Sequence, residues 1–335
     1  MQYRNLGRTG VKVSELCLGC MMFGAKTELD ESCAIIDRAL EAGLNFFDTS
    51  NSYSRGRSEE FVGTALKRNG KRHRVVLATK VRSQMADDDP NMVGNHRRMI
   101  IDQCEASLRR LQTDYLDLYQ IHRPQSDVPI DETLRALDDL VRAGKVRYIG
   151  TSTFAAWQLV EALWAAKEYG LNRFVCEQPP YNILDRRIER ELVPMARTYG
   201  FALIPWSPLG GGLLTGKYRR DMPAAAETRY GNPQATWLHH RLNARMYDVI
   251  EGVSAVAAAR GCSVGQLALA WCAQQPGVTS PIIGPRTLAQ FEENLGALEV
   301  KLTADELKKI DALAPPGAMT SPFYEADFGP HLHRW

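Results

Sequence analysis

Glu31-Ser-Cys-Ala-Ile-Ile-Asp-Arg-Ala-Leu-Glu-Ala-Gly43-Leu-Asn-Phe-Phe-Asp48 contains the unit whose repetition decides the fold. Ile35, Ile36, Ala39 and Leu40 fall on one face of a helix, Gly43 ends it, and the apolar run Leu44 to Phe47 follows as a strand. The same alternation recurs in both directions from here. Candidate strands are Glu15 to Leu18, Leu44 to Phe47, Val75 to Thr79, Tyr115 to Ile121, Val146 to Gly150, Phe174 to Glu177, Phe201 to Trp206 and Pro281 to Ile283, eight in all. Helical periods fill Glu31 to Ala42, Ser58 to Lys67, Arg98 to Leu111, Asp131 to Ala143, Ala155 to Tyr169 and Arg186 to Tyr199, and later Leu242 to Arg260 and Ser263 to Gln274. Strand-then-helix repetition gives a parallel sheet with right-handed crossovers, and eight units predict closure into a (β/α)8 TIM barrel. An open doubly wound sheet is the competing architecture. The Gly-x-Gly-x-x-Gly turn it usually carries after its first strand is not spelled by Leu18-Gly-Cys-Met-Met-Phe-Gly24.

Residues 1–335 are read as one barrel domain, opened by a hairpin over Tyr3 to Val13 with Gly7-Arg-Thr-Gly10 as its turn. The spacing breaks over 209–240, where Gly, Pro, Ala and Arg predominate; Gly210 to Pro233 is expected to be a lid or cofactor clasp. The tail, 314–335, either folds over the barrel mouth or frays as a free end.

Hydrophobic residues make up 44% of the chain and charged ones 24%, enough apolar material for a large core. The 41 basic and 39 acidic side chains are interspersed, so Lys67 to Arg74 is solvated charge and nucleic acid is not an expected partner. No amino-terminal apolar segment reads as a signal peptide and no run is long enough to span a bilayer, so the expected location is the cytoplasm, with no membrane partner. Seven cysteines at irregular spacing fit free thiols, and Cys17-Leu-Gly-Cys20 reads as buried strand because no second pair completes a zinc site. Oligomeric state is not readable from the chain.

Parallel barrel strands carry their chemistry at their carboxy-terminal ends. Three of the runs end on, or just before, groups that hold or move a proton, which would bring Asp48, Tyr53, Lys80 and His122 into one cavity. A phenol exchanges protons poorly at neutral pH unless a cation stabilises the phenolate, a role open to Lys80. Lys80 in turn needs an anionic partner such as Asp48, and His122 can orient a substrate oxygen or relay the proton. The set holds no strong nucleophile and no metal cage. It suits carbonyl reduction, provided that a cofactor delivers hydride. A barrel hydrolase would instead set two carboxylates across the mouth, with Glu177 the candidate partner for Asp48.

Phe46-Phe-Asp48-Thr-Ser-Asn-Ser-Tyr53, Ser58-Glu-Glu-Phe-Val-Gly63, Leu77-Ala-Thr-Lys80 and Asp117-Leu-Tyr-Gln-Ile-His122 together resemble the signature segments of the aldo-keto reductase family. The resemblance covers nearly the whole chain and points to the longer, potassium-channel β-subunit-like members. It implies reversible NADPH-dependent reduction of an aldehyde or ketone on a (β/α)8 barrel whose bottom the hairpin closes. Tyr53 would give the proton, Asp48 and Lys80 would tune it, and His122 would position the carbonyl. By the same resemblance, Ser152 and Gln178 would hold the nicotinamide carboxamide and Trp206 would stack on the ring. Ser207, Pro208, Leu209, Gly211 and Lys217 would wrap the pyrophosphate. Gly284, Arg286, Gln290, Glu293 and Asn294 would take the adenosine-phosphate end, with Arg286 able to fork onto a 2′-phosphate. Thr153 departs from the family, standing where many members have Asn. The family also suggests an alternative, an NADPH-binding redox-sensing regulatory subunit with slow turnover. The substrate is unnamed; Met21, Met22, Phe23, Trp237, Phe323, Tyr324 and Phe328 are candidates for an apolar pocket lining or for plain loop packing.

Overall fold

The computed structural model describes residues 1–222, 224–226, 228–232, 234 and 241–320. It opens with an antiparallel hairpin, β1 (Tyr3–Asn5) and β2 (Lys12–Ser14), with Tyr3 opposite Ser14. Its turn depends on Gly7, which has φ +60° and lies so close to its neighbours that a Cβ would stand 2.5 Å from the Val175 carbonyl oxygen. Leu6 and Val13 are fully buried against inward-facing strand residues, so the hairpin plugs the floor of the barrel.

The parallel strands are β3 (Cys17–Gly19), β4 (Phe46–Asp48), β5 (Val76–Val81), β6 (Leu116–Ile121), β7 (Val146–Ser152), β8 (Cys176–Gln178), β9 (Ala202–Leu203) and β10 (Ile282–Ile283). From β3 to β9 each pairs with the next, and β10 pairs back onto β3. The seam between β9 and β10 is closed by Thr279 N–H donating to the Leu203 oxygen at 2.7 Å and Ile282 N–H to the Pro205 oxygen at 2.8 Å. The fold is the (β/α)8 barrel that the eight units predict.

Every residue of β5 is buried because both faces are covered. Leu77 and Val81 face the helices, whereas Val76 and Ala78 join Phe46, Leu118, Cys176, Ala202 and Ile204 inside the barrel. Period-two alternation then sends Asp48, Lys80, Gln120 and Gln178 to the upper interior. The floor is apolar and the top is polar.

The helices are α1 (Leu29–Glu41), α2 (Arg57–Arg68), α3 (Arg97–Leu111), α4 (Ile130–Arg142), α5 (Ala156–Tyr169), α6 (Leu192–Tyr199), α7 (Ala244–Arg260), α8 (Val264–Gln274), α9 (Leu288–Leu295) and α10 (Ala304–Leu313). The expected helix Arg186 to Tyr199 is interrupted: a three-residue 3₁₀ turn, Arg187–Glu189, precedes α6. Arg186 explains the break. Its backbone N–H donates to the Ala318 oxygen at 2.9 Å, and its buried guanidinium donates to Glu189, Asp311 and the Ala314 oxygen. That segment is thereby committed to anchoring 314–320 instead of continuing a helix.

A second apolar cluster lies between α7, α8 and the loop after β9. Leu213 and Leu214 are fully buried in it, and the Tyr230 hydroxyl donates to the Gly210 oxygen at 3.0 Å. The described part of 209–240 is therefore packed, not a loose surface insertion. Trp237, Phe323, Tyr324 and Phe328 lie outside the described residues, as does the tail from 321 onward. Cys17 and Cys20 are buried free thiols, and no cluster able to hold a metal occurs among the described residues. No single described helix is long and apolar enough to cross a membrane.

Candidate active site

The turn after β4 carries Tyr53, and buried polar side chains fix it from behind. Thr49 and Ser58 hydroxyls share a 2.8 Å hydrogen bond, and Ser58 Oγ donates to the Cys20 oxygen at 2.7 Å. Glu59, fully buried, accepts from Thr79 Oγ1 at 2.5 Å and from Arg110 Nε at 2.6 Å. Ser54 and Arg55 then follow Tyr53 at φ 51° and 53°, a left-handed pair without glycine. Each such residue costs roughly 1 kcal/mol or more and persists only where the surroundings impose it. The strained turn is what presents the phenol.

Lys80 is fully buried beneath that phenol with three acceptors for its three N–H bonds. It donates to Asp48 Oδ1, to the Thr49 oxygen at 2.9 Å and to Tyr53 Oη at 3.1 Å. Burial works to strip the ammonium of its proton, but Asp48 and Tyr53 outweigh it and the net direction is upward. Since Tyr53 Oη accepts from Lys80, its own proton is free to point into the cavity. Asp48 Oδ2, the oxygen turned away from Lys80, accepts from Gln120 Nε2 and Gln178 Nε2, each at 2.9 Å.

His122 follows β6, its ring edge-on to Tyr53 with centroids 5.8 Å apart and Nδ1 3.3 Å from Ser50 Oγ. Burial first, then the positive charges of Arg123, Lys80 and Arg82, push its protonation well below the usual histidine range. The imidazole is neutral at pH 7, a hydrogen-bonding group and not a cationic acid.

These side chains open onto a cavity of about 670 Å³. Asp48, Tyr53, His122, Gln178, Trp206, Ser207, Pro208, Leu209, Gly211, Lys217, Gly284, Arg286, Gln290, Glu293 and Asn294 all line it, so most of the expected residues share one space. Lys80 lies behind Tyr53. Ser152 is fully buried and not part of the lining; its hydroxyl donates to the Gln178 oxygen at 2.9 Å and accepts from Arg123 Nη1 at 3.1 Å. Glu177 does not face Asp48. It points to the other side of β8, accepting from Thr151 Oγ1 at 2.5 Å and Phe154 N–H at 3.1 Å, so the hydrolase alternative lacks its second carboxylate. Thr153 sits at φ 68°, its hydroxyl accepting from Arg123 Nη1 at 2.8 Å.

Sequence reasoning missed Gln120, Arg123 and Arg229. Arg123 lines the cavity beside His122, its guanidinium 5.7 Å from the Trp206 ring centroid. Arg229 lines the far end, and its charge is disfavoured by burial and then by the nearby Arg286 and Arg241. With Arg286 and Arg241 close to it, Arg229 makes this end positively charged, suited to a phosphorylated ligand. Glu293 is partly engaged, accepting from Ser263 Oγ at 2.5 Å.

A TIM barrel with the hydrogen-bonded chain Asp48-Lys80-Tyr53 at its mouth points to a class of barrel oxidoreductases. The chain belongs to the aldo/keto reductase family, whose model matches residues 15–315, and it is an oxidoreductase of that family. It is 40% identical over 333 residues to the "Uncharacterized oxidoreductase YrpG" of Bacillus subtilis (strain 168), covering 97% of this chain and 99% of the relative. It is 38% identical over 320 residues to a "Probable voltage-gated potassium channel subunit beta" of Oryza sativa subsp. japonica, covering 93% and 96%. A third relative, the "Versiconal hemiacetal acetate reductase" of Aspergillus parasiticus, is 34% identical over 342 residues, covering 95% and 98%.

Proposed function

We propose that the protein catalyses the reversible NADPH-dependent reduction of an aldehyde or ketone to the alcohol. The observation that carries this reading is the Lys80 ammonium set between Asp48 and Tyr53 Oη at 3.1 Å, directly behind a cavity-lining phenol. Tyr53 donates its proton to the carbonyl oxygen, Lys80 stabilises the phenolate left behind, and neutral His122 orients that oxygen by hydrogen bonding. NADPH, when bound, supplies the hydride.

The donor set fits that cofactor. Gln178 spends both amide hydrogens inside the barrel, on Asp48 at 2.9 Å and on Gln120 Oε1 at 3.2 Å, so its carbonyl is the end left to meet a carboxamide N–H. Trp206 offers a flat face for the nicotinamide ring, and Ser152 supports this end through the Gln178 backbone. Ser207, Pro208, Leu209, Gly211 and Lys217 line the cavity where they would hold the diphosphate, the clasp role proposed for this loop. Gly284, Arg286, Gln290, Glu293 and Asn294, joined by Arg229, would hold the adenosine end, where the arginines would favour a 2′-phosphate.

Steady-state absorbance at 340 nm with NADPH and NADH, across a panel of aldehydes, ketosugars and ketosteroids, tests the reading. Turnover with at least one carbonyl and a preference for NADPH is the expected outcome. The name of the Oryza sativa relative as a channel β subunit motivates a second reading, a redox-sensing subunit that holds NADPH and turns over slowly. Tight NADPH binding without turnover across the panel would favour it and overturn the first.

A further inference from the structure

Gln120 is a fully buried amide on the inner face of β6, in a barrel whose lower interior is apolar. In register it stands beside Lys80 on one side and Gly150 on the other, and it is not part of the cavity lining. A buried amide is costly unless both ends are used. Here both are: Nε2 donates to Asp48 Oδ2 at 2.9 Å and Oε1 accepts from Gln178 Nε2 at 3.2 Å. Gln178 Nε2 also donates to Asp48 Oδ2 at 2.9 Å, which closes a triangle of three side chains.

The triangle has a chemical direction. Ionised Asp48 can only accept, so each glutamine must turn its NH₂ toward it, which fixes both amide orientations. Gln120 then passes its carbonyl to the second hydrogen of the Gln178 amide. Two neutral donors hold the Asp48 oxygen that Lys80 does not use, keeping its other oxygen on Lys80 and hence Lys80 on Tyr53. The same contact steadies the Gln178 carbonyl at the cavity. A leucine or methionine would satisfy the barrel interior as packing but would perform neither task.

We propose that Gln120 is a positioning residue that links the Asp48-Lys80-Tyr53 relay to the Gln178 amide at the cavity. This rests on the reading of the site as a reductase, because the relay and Gln178 take their roles from it. Two double-mutant cycles test it. In the first, kcat for carbonyl reduction is compared in Gln120→Met, Asp48→Asn and the double variant. Hydrogen bonds to charged groups are worth about 1.5–3 kcal/mol, so Gln120→Met lowers kcat by roughly 10-fold or more. In the Asp48→Asn background it has little further effect. In the second, NADP⁺ dissociation constants are measured by fluorescence for Gln120→Met, Gln178→Met and the pair. Binding weakens several-fold with Gln120→Met only while Gln178 is present.

Additive losses in both cycles, or an unchanged kcat and dissociation constant in a folded Gln120→Met protein, would overturn the inference. If the native protein reduced no carbonyl, the functional reading would fail while the binding cycle still decided the link to Gln178. Gln120→Asn, which retains an amide but draws it back by one methylene, replaces Gln120→Met should that variant not fold.

Discussion

Glu177→Gln should make the protein more stable above neutral pH while leaving it little changed in acid. Glu177 is fully buried, and burial is the largest influence on its carboxyl, raising its pKa from the usual 4.5 to about 7 against the hydrogen bonds of Thr151 and Phe154. A carboxyl that is harder to ionise in the native state favours the fold while protonated. That contribution is complete below the unfolded value near 4.5 and is lost as pH rises through about 7. The raised value corresponds to about 3.5 kcal/mol at most, from roughly 1.4 kcal/mol per unit. The amide substitution removes the charge but keeps the bonds: its oxygen can accept from Phe154 N–H, and its nitrogen can donate to Thr151 Oγ1. Thr151 Oγ1 already has a second acceptor for its own hydrogen, the Cys176 oxygen at 3.2 Å. Thermal unfolding of both proteins at pH 5 and pH 8 measures the effect. Native protein should lose several degrees relative to the variant between these conditions, in keeping with about 2–4 °C per kcal/mol for larger domains. Parallel pH dependences would refute the argument, and with it the view that Glu177 is an internal brace whose charge the fold tolerates poorly.

Arg286→Ala should weaken NADPH binding by roughly 10-fold or more, the worth of a charge-assisted contact, and leave NADH affinity nearly unchanged; isothermal titration with both cofactors checks this. Arg186→Met should destabilise the protein by about 3 kcal/mol, because it leaves the largely buried Glu189 without its cation and releases the buried Ala314 oxygen; urea unfolding reads it, and a loss below 1 kcal/mol would contradict the anchoring role. Gly7→Ala should lower the melting temperature by several degrees, since a Cβ at φ +60° meets the Val175 oxygen at 2.5 Å.

The barrel was legible because its signals repeat. Period two, period 3.6 and a glycine or polar break recur with every unit, so each strand was found even where its bounds moved by a few residues. The widest discrepancy is Phe201 to Trp206, reduced to Ala202–Leu203. Its second half falls outside the regular strand yet keeps backbone bonds to its neighbours, Ile204 N–H donating to the Glu177 oxygen at 3.0 Å and Trp206 N–H to the Pro179 oxygen at 2.9 Å; Pro205 lacks an N–H and Ser207 turns the chain at φ 55°, with Trp206 lining the cavity. Helix α10 was not anticipated, although Thr303 and Glu306 form a capping box that announces it. Gln120 was hidden for a different reason. One amide within an apolar run has no periodic signal, and its use depends on two side chains from other strands, 72 and 58 residues away. Arg229 is similar: it reaches the cavity from a long loop whose path no local pattern fixes.

The central claim is that Tyr53 donates the proton in a carbonyl reduction. Tyr53→Phe keeps the ring against His122 but removes the oxygen that Lys80 contacts at 3.1 Å. The direct measurement is turnover of the best carbonyl substrate by this variant, alongside its NADPH dissociation constant. The prediction is a loss of at least about 100-fold in kcat, within the usual range for a general acid, with cofactor affinity within a few-fold of native. Turnover near the native rate would contradict it.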